Sequence, residues 1–274
     1  MSIESTADWN GLRAVAMVAR QTLALLVHHV RAGITTGELD GMAGRCFEGS
    51  GARSAPAVVY GFPGNVLISI NEEIVHGIPG GRRIRAGDLV SLDVTVEKDG
   101  YVADAARSVV VAPGSETAHR LVACTRAAFE GALVVARAGV RVSEIGRAVE
   151  REVRRQGFSV VQGLAGHGVG RTIHEPPSVP NEWDPYQPDV LTEGLVLTIE
   201  PLVSAGSGRP VERSDGWTIC TRDGSLAAHY EGHARDYSRA AHRVDSSGGI
   251  TREWSRRALD SASARLIRSV SRPW

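Results

Sequence analysis

Five residues carry side chains that could act together: Asp93, Asp104, His167, Glu200 and Glu231. The two aspartates lie in the stretch from Leu89 to Val110. There an apolar, β-branched run to Val96 meets the turn residues Lys98-Asp99-Gly100, and a second strand-like run begins at Tyr101. This reads as a β-hairpin. A two-residue loop at Lys98-Asp99 sets Asp93 directly opposite Asp104, with Cβ atoms about 5 Å apart. Two carboxylates on one half-buried face repel, and one must hold a proton at neutral pH unless divalent cations lie between them. Gly194 to Val203 reads as an apolar strand with one acid, Glu200, followed by a proline, and Glu231 ends the strand-like piece Ala227 to Glu231. Buried acids need partners. His167, between Gly166 and Gly168, adds an imidazole. Four carboxylates and one imidazole form a hard, oxygen-rich set, suited to a pair of divalent first-row cations rather than to structural zinc, which prefers sulfur and nitrogen. Two such cations at roughly 3.5–4 Å can share bridging carboxylates and hold a hydroxide between them.

The elements that must position these residues can be read from periodicity. Leu12, Val15, Ala16, Ala19, Leu23, Leu26 and Val27 fall at helical spacing between Asp8, a good N-cap, and Val30. Arg31-Ala32-Gly33 ends that helix, Thr35 or Thr36 caps a second one through about Glu48, and Gly49 to Pro56 reads as loop. The pattern then returns. A helix over Glu116 to Ala136 is followed by Arg137-Ala138-Gly139 and a shorter helix from Ser143 to about Gln156. The string R-A-G-I-T-T-G-E-L at 31–39 is echoed by R-A-G-V-R-V-S-E-I at 137–145. Strand-rich sequence follows each copy. The chain therefore reads as an internal duplication, two helix-helix-strand halves around a central, mainly antiparallel sheet. Around His167, four glycines lie between Gly163 and Gly170, and Pro176-Pro177 forbids a helix beyond them. Those glycines serve either close backbone approach or turns that need positive φ.

A chain of 274 residues buries one full core, and 31 basic residues balance 31 acidic ones. Lys98 is the only lysine, and no basic patch of the kind that holds nucleic acid precedes residue 232. Cys46, Cys124 and Cys220 lack the spacing of a disulfide framework or zinc knuckle and are expected to be free thiols. No signal peptide or apolar span is visible, so the expected location is the cytoplasm.

Taken in order, the motifs resemble those of the type I methionine aminopeptidases, metallopeptidases of the pita-bread fold, an α+β class with pseudo-twofold halves around a curved sheet. They run from Asn71 to Pro79 (N-E-E-I-V-H-G-I-P), through Gly87-Asp88 to Asp93-Val94-Thr95, and on to Asp104. Gly166 to Arg171 (G-H-G-V-G-R) with His174-Glu175-Pro176 comes next, before Thr198-Ile199-Glu200-Pro201 and Ala228-His229-Tyr230-Glu231. The likeness covers nearly all of residues 8 to 231. It implies that Asp93 binds one cation, that Asp104 and Glu231 bridge two, and that His167 and Glu200 complete the second site, the cations being cobalt, manganese, iron or zinc. His76 and His174 resemble histidines that contact substrate and stabilise the transition state. Glu200 would also move a proton, and Phe62, Ile173 and Trp217 resemble the apolar wall around a methionine side chain. The implied activity is removal of the initiator methionine from nascent proteins and peptides by a monomer near ribosomes, with no nucleic-acid or membrane site.

Two departures bear on that expectation. Ala105 stands where the family has Thr or Ser, removing a hydroxyl that could orient the Asp104 carboxylate. After Glu231 the family continues into a valine-rich strand, whereas this chain reads Gly232-His233-Ala234-Arg235-Asp236-Tyr237. Residues 1–231 are thus expected to form a single catalytic domain. Residues 232–274, with nine arginines against four acidic residues, are expected to be an atypical basic tail, either disordered or read out of frame. Two competing functions follow: a non-catalytic or impaired homologue acting as a binding module, and a single-iron oxygenase built on His167, His174 and Glu200.

Overall fold

The computed structural model describes residues 1–233 and the strand residues 243–244 and 250–251. Helix α1 spans Thr6–His29 and α2 spans Thr36–Gly49; β1 (Arg53–Ser54) leads into the short helix α3 (Ala55–Tyr60). Strands β2 (Leu67–Ile70) and β3 (Glu73–Val75) precede the long hairpin of β4 (Leu89–Lys98) and β5 (Tyr101–Val110). Helices α4 (Glu116–Val135) and α5 (Ser143–Arg155) open the second half. Short strands follow: β6 (Ser159–Val160), β7 (Ala165–Gly168), β8 (Glu175–Pro180), β9 (Thr198–Ile199) and β10 (Leu202–Ser204). The series ends with β11 (Pro210–Glu212), β12 (Ile219–Thr221), β13 (Ala227–His229) and β14 (Gly232–His233).

The duplication is visible in the hydrogen bonds as well as in the order of elements. Gly33 and Gly139 both take left-handed backbone, at φ 93° and 87°, where a side chain would be strained. The Gly33 N–H donates to the Ile84 carbonyl at 2.8 Å and the Ile84 N–H to the Ile34 carbonyl at 2.8 Å. In the second half the same two bonds run from Gly139 to Leu191 at 2.8 Å and from Leu191 to Val140 at 2.9 Å. Each half has its own apolar cluster. One packs α1 and α2 on Val90, Leu92, Val94 and Val96; the other packs α4 and α5 around Leu197, Ile199, Val203 and Ala228. The ladders between named strands are all antiparallel, and they form short sets rather than one unbroken sheet. Single bridges, Arg107 to Tyr230 and Gly168 to Leu197, carry the strand neighbourhood across the gaps.

Three expectations are corrected. The hairpin loop is Asp99-Gly100, with Lys98 paired to Tyr101, so Asp93 faces Ala106 and Thr95 faces Asp104. Both loop residues have positive φ, 52° and 79°, as a type I′ turn requires, and Asp-Gly tolerates this better than Lys-Asp. The shift moves each partner by two residues, so both aspartates keep the same face. Asp8 does not cap α1. The cap is Ser5, whose Oγ accepts from the Asp8 N–H at 3.1 Å, while Asp8 Oδ1 accepts from Tyr101 Oη at 3.1 Å and from Arg171 at 2.6 Å. The stretch from Gly49 to Pro56 is not all loop, because β1 and the start of α3 fall within it.

The chain divides into two compact units, Met1–Arg239 and Ala240–Trp274. In the second, Arg243–Val244 pairs with Ile250–Thr251. Gly232–His233 does form strand, pairing with Thr198–Ile199. Apart from these strand residues, the expected change of character over 232–274 lies outside the described residues. No helix among the described residues is long and apolar enough to cross a membrane.

Candidate metal centre

Strand alternation sorts the hairpin into two faces. Val94 and Val96 pack with Ala103 under α1, so Ser91, Asp93 and Thr95 face the other way with Asp104, Ala106 and Ser108. Ala105 falls on the helix side, next to its cluster, and a hydroxyl there would not meet the Asp104 carboxylate. Thr95 supplies that hydroxyl instead: its Oγ1 donates to Asp104 Oδ1 at 2.8 Å. Glu200 projects from the break between β9 and β10, where Pro201 has no N–H to continue the ladder. Its Oε1 accepts from Thr198 Oγ1 at 3.0 Å and stands 3.5 Å from His167 Nε2. Glu231 lies between β13 and β14, anchored by two backbone hydrogen bonds with Ala106 at 2.9 and 3.3 Å.

His167 is held by its backbone on both sides. Its N–H donates to Thr198 Oγ1 at 3.0 Å, and its Nδ1 lies 2.9 Å from the Gly168 carbonyl, leaving Nε2 for the cavity. The flanking glycines serve close approach. A Cβ on Gly166 would lie 2.6 Å from the Thr198 carbonyl oxygen, and one on Gly168 would lie 2.2 Å from that of Pro176. The outer pair, Gly163 and Gly170, take positive φ, so the two explanations each apply to half the motif.

All five expected residues line one cavity of about 170 Å³, together with His76, His174, Phe62, Ile173 and Trp217. Among the described residues, four buried side-chain atoms lack a hydrogen-bond partner: Asp93 Oδ1, Glu231 Oε1 and both ring nitrogens of His229. All four lie in this cluster. Donor atoms of Asp93, His229 and Glu231 form one group within 4.8 Å of one another, and those of Asp104, His167 and Glu231 form another. The groups share Glu231, as two adjacent cations sharing a bridging carboxylate require.

The electrostatics of the donor set point to the same chemistry. Burial, followed by the charges of Asp104 and Glu200, pushes the Asp93 carboxyl well above the usual carboxylate range. Burial and the same two neighbours, with Asp93, do this to Glu231. Glu200 is pushed up to about 8 by burial and then by Asp104. Bare, these groups must hold protons; beside divalent cations they ionise and become ligands. Buried donors without partners, carboxylates that repel and imidazoles aimed inward fit divalent cations of the first transition row.

The other histidines are placed for contact with a substrate. His76 sits at φ 60°, a backbone conformation rare outside glycine, and its ring hydrogen-bonds the Trp217 backbone. Burial lowers its pKa. His174 stacks edge-on to His167 with ring centroids 4.3 Å apart. Burial and then His167 lower its pKa. Phe62 and Trp217 meet edge to face at 5.2 Å, and Ile173 is 3% exposed, so these three form an apolar wall beside the carboxylates.

Tyr60 and His229 are among the cavity residues that escaped the sequence reading. Tyr60, in α3, places its hydroxyl 2.6 Å from His174 Nδ1, and nothing in its sequence neighbourhood marks it. His229 precedes Glu231 by two positions on strand-like sequence, and that period-two spacing is a signal that could have found it. Burial, then His76, lowers its pKa to about 3, and the carboxyls of Glu231 and Glu200 stand 3.7 and 3.9 Å from its Nε2.

Residues 10–244 match metallopeptidase family M24. The chain is 41% identical over 220 residues to a methionine aminopeptidase of Clostridium perfringens, covering 80% of this chain and 88% of that protein. It is 37% identical over 233 residues to methionine aminopeptidase 2 of Bacillus subtilis, covering 84% and 94%. The crystal structure of methionine aminopeptidase from Rickettsia prowazekii superposes with a TM-score of 0.81 at 34% identity, over 85% of this chain and 95% of that one. With its antiparallel ladders and paired helix-helix-strand halves the chain has the pita-bread fold, and it belongs to metallopeptidase family M24.

Proposed function

We propose that this chain is a metal-dependent aminopeptidase that removes the N-terminal methionine from peptides and nascent proteins. The observation that carries the reading is the convergence of four buried, unpartnered donor atoms beside an apolar pocket. Asp93, Asp104, His167, Glu200 and Glu231 would hold two divalent cations, drawn from cobalt, manganese, iron and zinc. When bound, the cations supply Lewis acidity and a water activated for attack.

The chain's own residues do the rest. Phe62, Ile173 and Trp217, which line the cavity beside the carboxylates, receive the methionine side chain in apolar surroundings. The Tyr60 hydroxyl, 2.6 Å from His174 Nδ1, can donate to it, and in that arrangement the neutral ring carries its proton on Nε2. From there Nε2–H can donate to the oxygen that becomes negative as the peptide carbonyl is attacked. His76, whose pKa burial lowers, lines the same cavity and contacts the substrate there. Glu200, steadied by Thr198, takes the proton of the attacking water and passes it to the leaving amine.

One assay separates this reading from its competitors: metal-free protein titrated with Mn²⁺ or Co²⁺ against a Met-Ala-Ser peptide, with and without oxygen. Release of free methionine that needs metal and ignores oxygen is the expected result. Uptake of metal without release would leave a binding module, and dependence on oxygen would point to an oxygenase. In the same assay His174→Ala is expected to lower kcat by about 10²–10³-fold, and His76→Ala by less, with metal content unchanged in both. Loss of metal from either variant would move that histidine among the ligands.

A further inference from the structure

The roles assigned above leave one buried polar side chain of the cavity without a task. His229, in β13, is 1% exposed, and neither ring nitrogen has a hydrogen-bond partner. Its backbone is held firmly: the N–H donates to Ser108 Oγ at 2.8 Å and the carbonyl is 2.9 Å from the same hydroxyl. The ring therefore cannot leave the cavity while β13 stays packed on the hairpin. An imidazole so placed forgoes the hydrogen bonds it makes in water, a loss that native interiors rarely leave without a partner.

The spacing says what the partner is. Nε2 lies 3.7 Å from Glu231 Oε2 and 3.9 Å from Glu200 Oε2. Both separations are too long for hydrogen bonds. They suit atoms that share a cation, since two donors about 2.1 Å from one ion stand about 3–4 Å from each other. Nitrogen of His229 and oxygens of Asp93 and Glu231 already lie within 4.8 Å of one another. We propose that His229 is a direct ligand of the cation held by Asp93 and Glu231, so that each of two cations has one imidazole, His167 on one and His229 on the other.

This rests on the two-cation reading above and sharpens it. A nitrogen donor in place of an all-oxygen set shifts that position away from manganese and toward iron, cobalt or zinc. The two sites are also unequal. His167 is braced through Nδ1 by the Gly168 carbonyl, whereas Nδ1 of His229 has no such brace. Bracing of this kind is worth about 10–100-fold in metal affinity, so the His229 position is the looser of the two.

The test is a Co²⁺ titration of the metal-free full chain, followed by calorimetry and by X-ray absorption, which counts imidazoles per cobalt. With two cobalts bound, the wild-type protein is expected to show one imidazole per cobalt. His229→Gln is expected to show half that number, with the weaker binding step weakened a further tenfold or more and the tighter one unchanged. Circular dichroism of His229→Gln and His229→Asn monitors the fold, and the wild-type count needs no variant at all. Two cobalts with half an imidazole each in the wild-type chain would overturn the assignment of His229 and leave the two-cation reading standing. A chain that binds no second cobalt would overturn both.

Discussion

Asp93→Asn is expected to lower methionine release by about 10³-fold or more and to cost the chain one of its two cations, while the metal-free variant folds at least as well as the parent. Asparagine preserves the shape of the side chain, so packing on β4 is unchanged and the difference is one negative charge and its affinity for a cation. In the metal-free chain Asp93 cannot carry that charge: burial, Asp104 and Glu200 make it hold a proton. Asparagine is neutral without a proton, so the metal-free variant is spared the cost of keeping Asp93 protonated as pH rises. In the loaded chain the same charge anchors a cation that would both polarise the carbonyl and activate water, and a loss of about 10³-fold corresponds to about 4 kcal/mol of transition-state stabilisation. Metal content, kcat/KM on Met-Ala-Ser and the melting temperature of the metal-free protein, measured side by side, test each part. Two cations retained by Asp93→Asn would sink its assignment as a ligand.

How much of this was legible depends on what kind of physics each residue answers to. Asp93, Asp104, Glu200 and Glu231 could be found because acids in apolar, strand-like sequence are anomalous wherever they occur. The helix pairs were legible from periodicity and from the repeated Arg-Ala-Gly, whose glycines both take left-handed backbone at helix ends. Register was not legible to the residue, because Lys98-Asp99 and Asp99-Gly100 both look like hairpin loops and only the demand for two positive φ values separates them. The long strand expected from Gly194 to Val203 is broken at Pro201, and that break is what projects Glu200 toward His167. Tyr60 and His229 were missed for different reasons. Tyr60 reaches His174 only through tertiary packing of a short helix, whereas His229 shares a strand face with Glu231 and still reads as core. A histidine in an apolar run is most often core, and only its lack of any partner distinguishes this one.

Stripped of metal with a chelator, the protein is expected to lose stability as pH rises from about 6.5 to about 8, the reverse of ordinary acid denaturation. Glu200 has a folded pKa of about 8 against its ordinary 4.5, so across that interval the folded chain holds a proton the unfolded chain has released. Raising the pH then favours unfolding, by up to about 1.4 kcal/mol per pH unit for each such group. Asp93 and Glu231 are shifted in the same direction and add to the slope. The histidines act oppositely. His229 has a folded pKa of about 3 against its ordinary 6.5, and His76 and His174 are also lowered, so the unfolded chain binds more protons below pH 6.5. Their contribution rises with pH up to that point and then is complete, which offsets the carboxylates in acid and leaves them unopposed above it. The metal-free stability is therefore expected to change little in acid up to about pH 6.5 and to fall on the order of a few kcal/mol by pH 8. Bound Mn²⁺ or Co²⁺ is expected to abolish the fall, because cation binding displaces those protons and keeps the carboxylates ionised at no cost in repulsion. Urea unfolding midpoints at half-unit steps from pH 5 to 9, with chelator and with metal, give both curves. A metal-free curve that stays flat or climbs between pH 6.5 and 8 would show that the carboxylates are not held together bare, and the crowding inferred at Asp93, Glu200 and Glu231 would have to be abandoned.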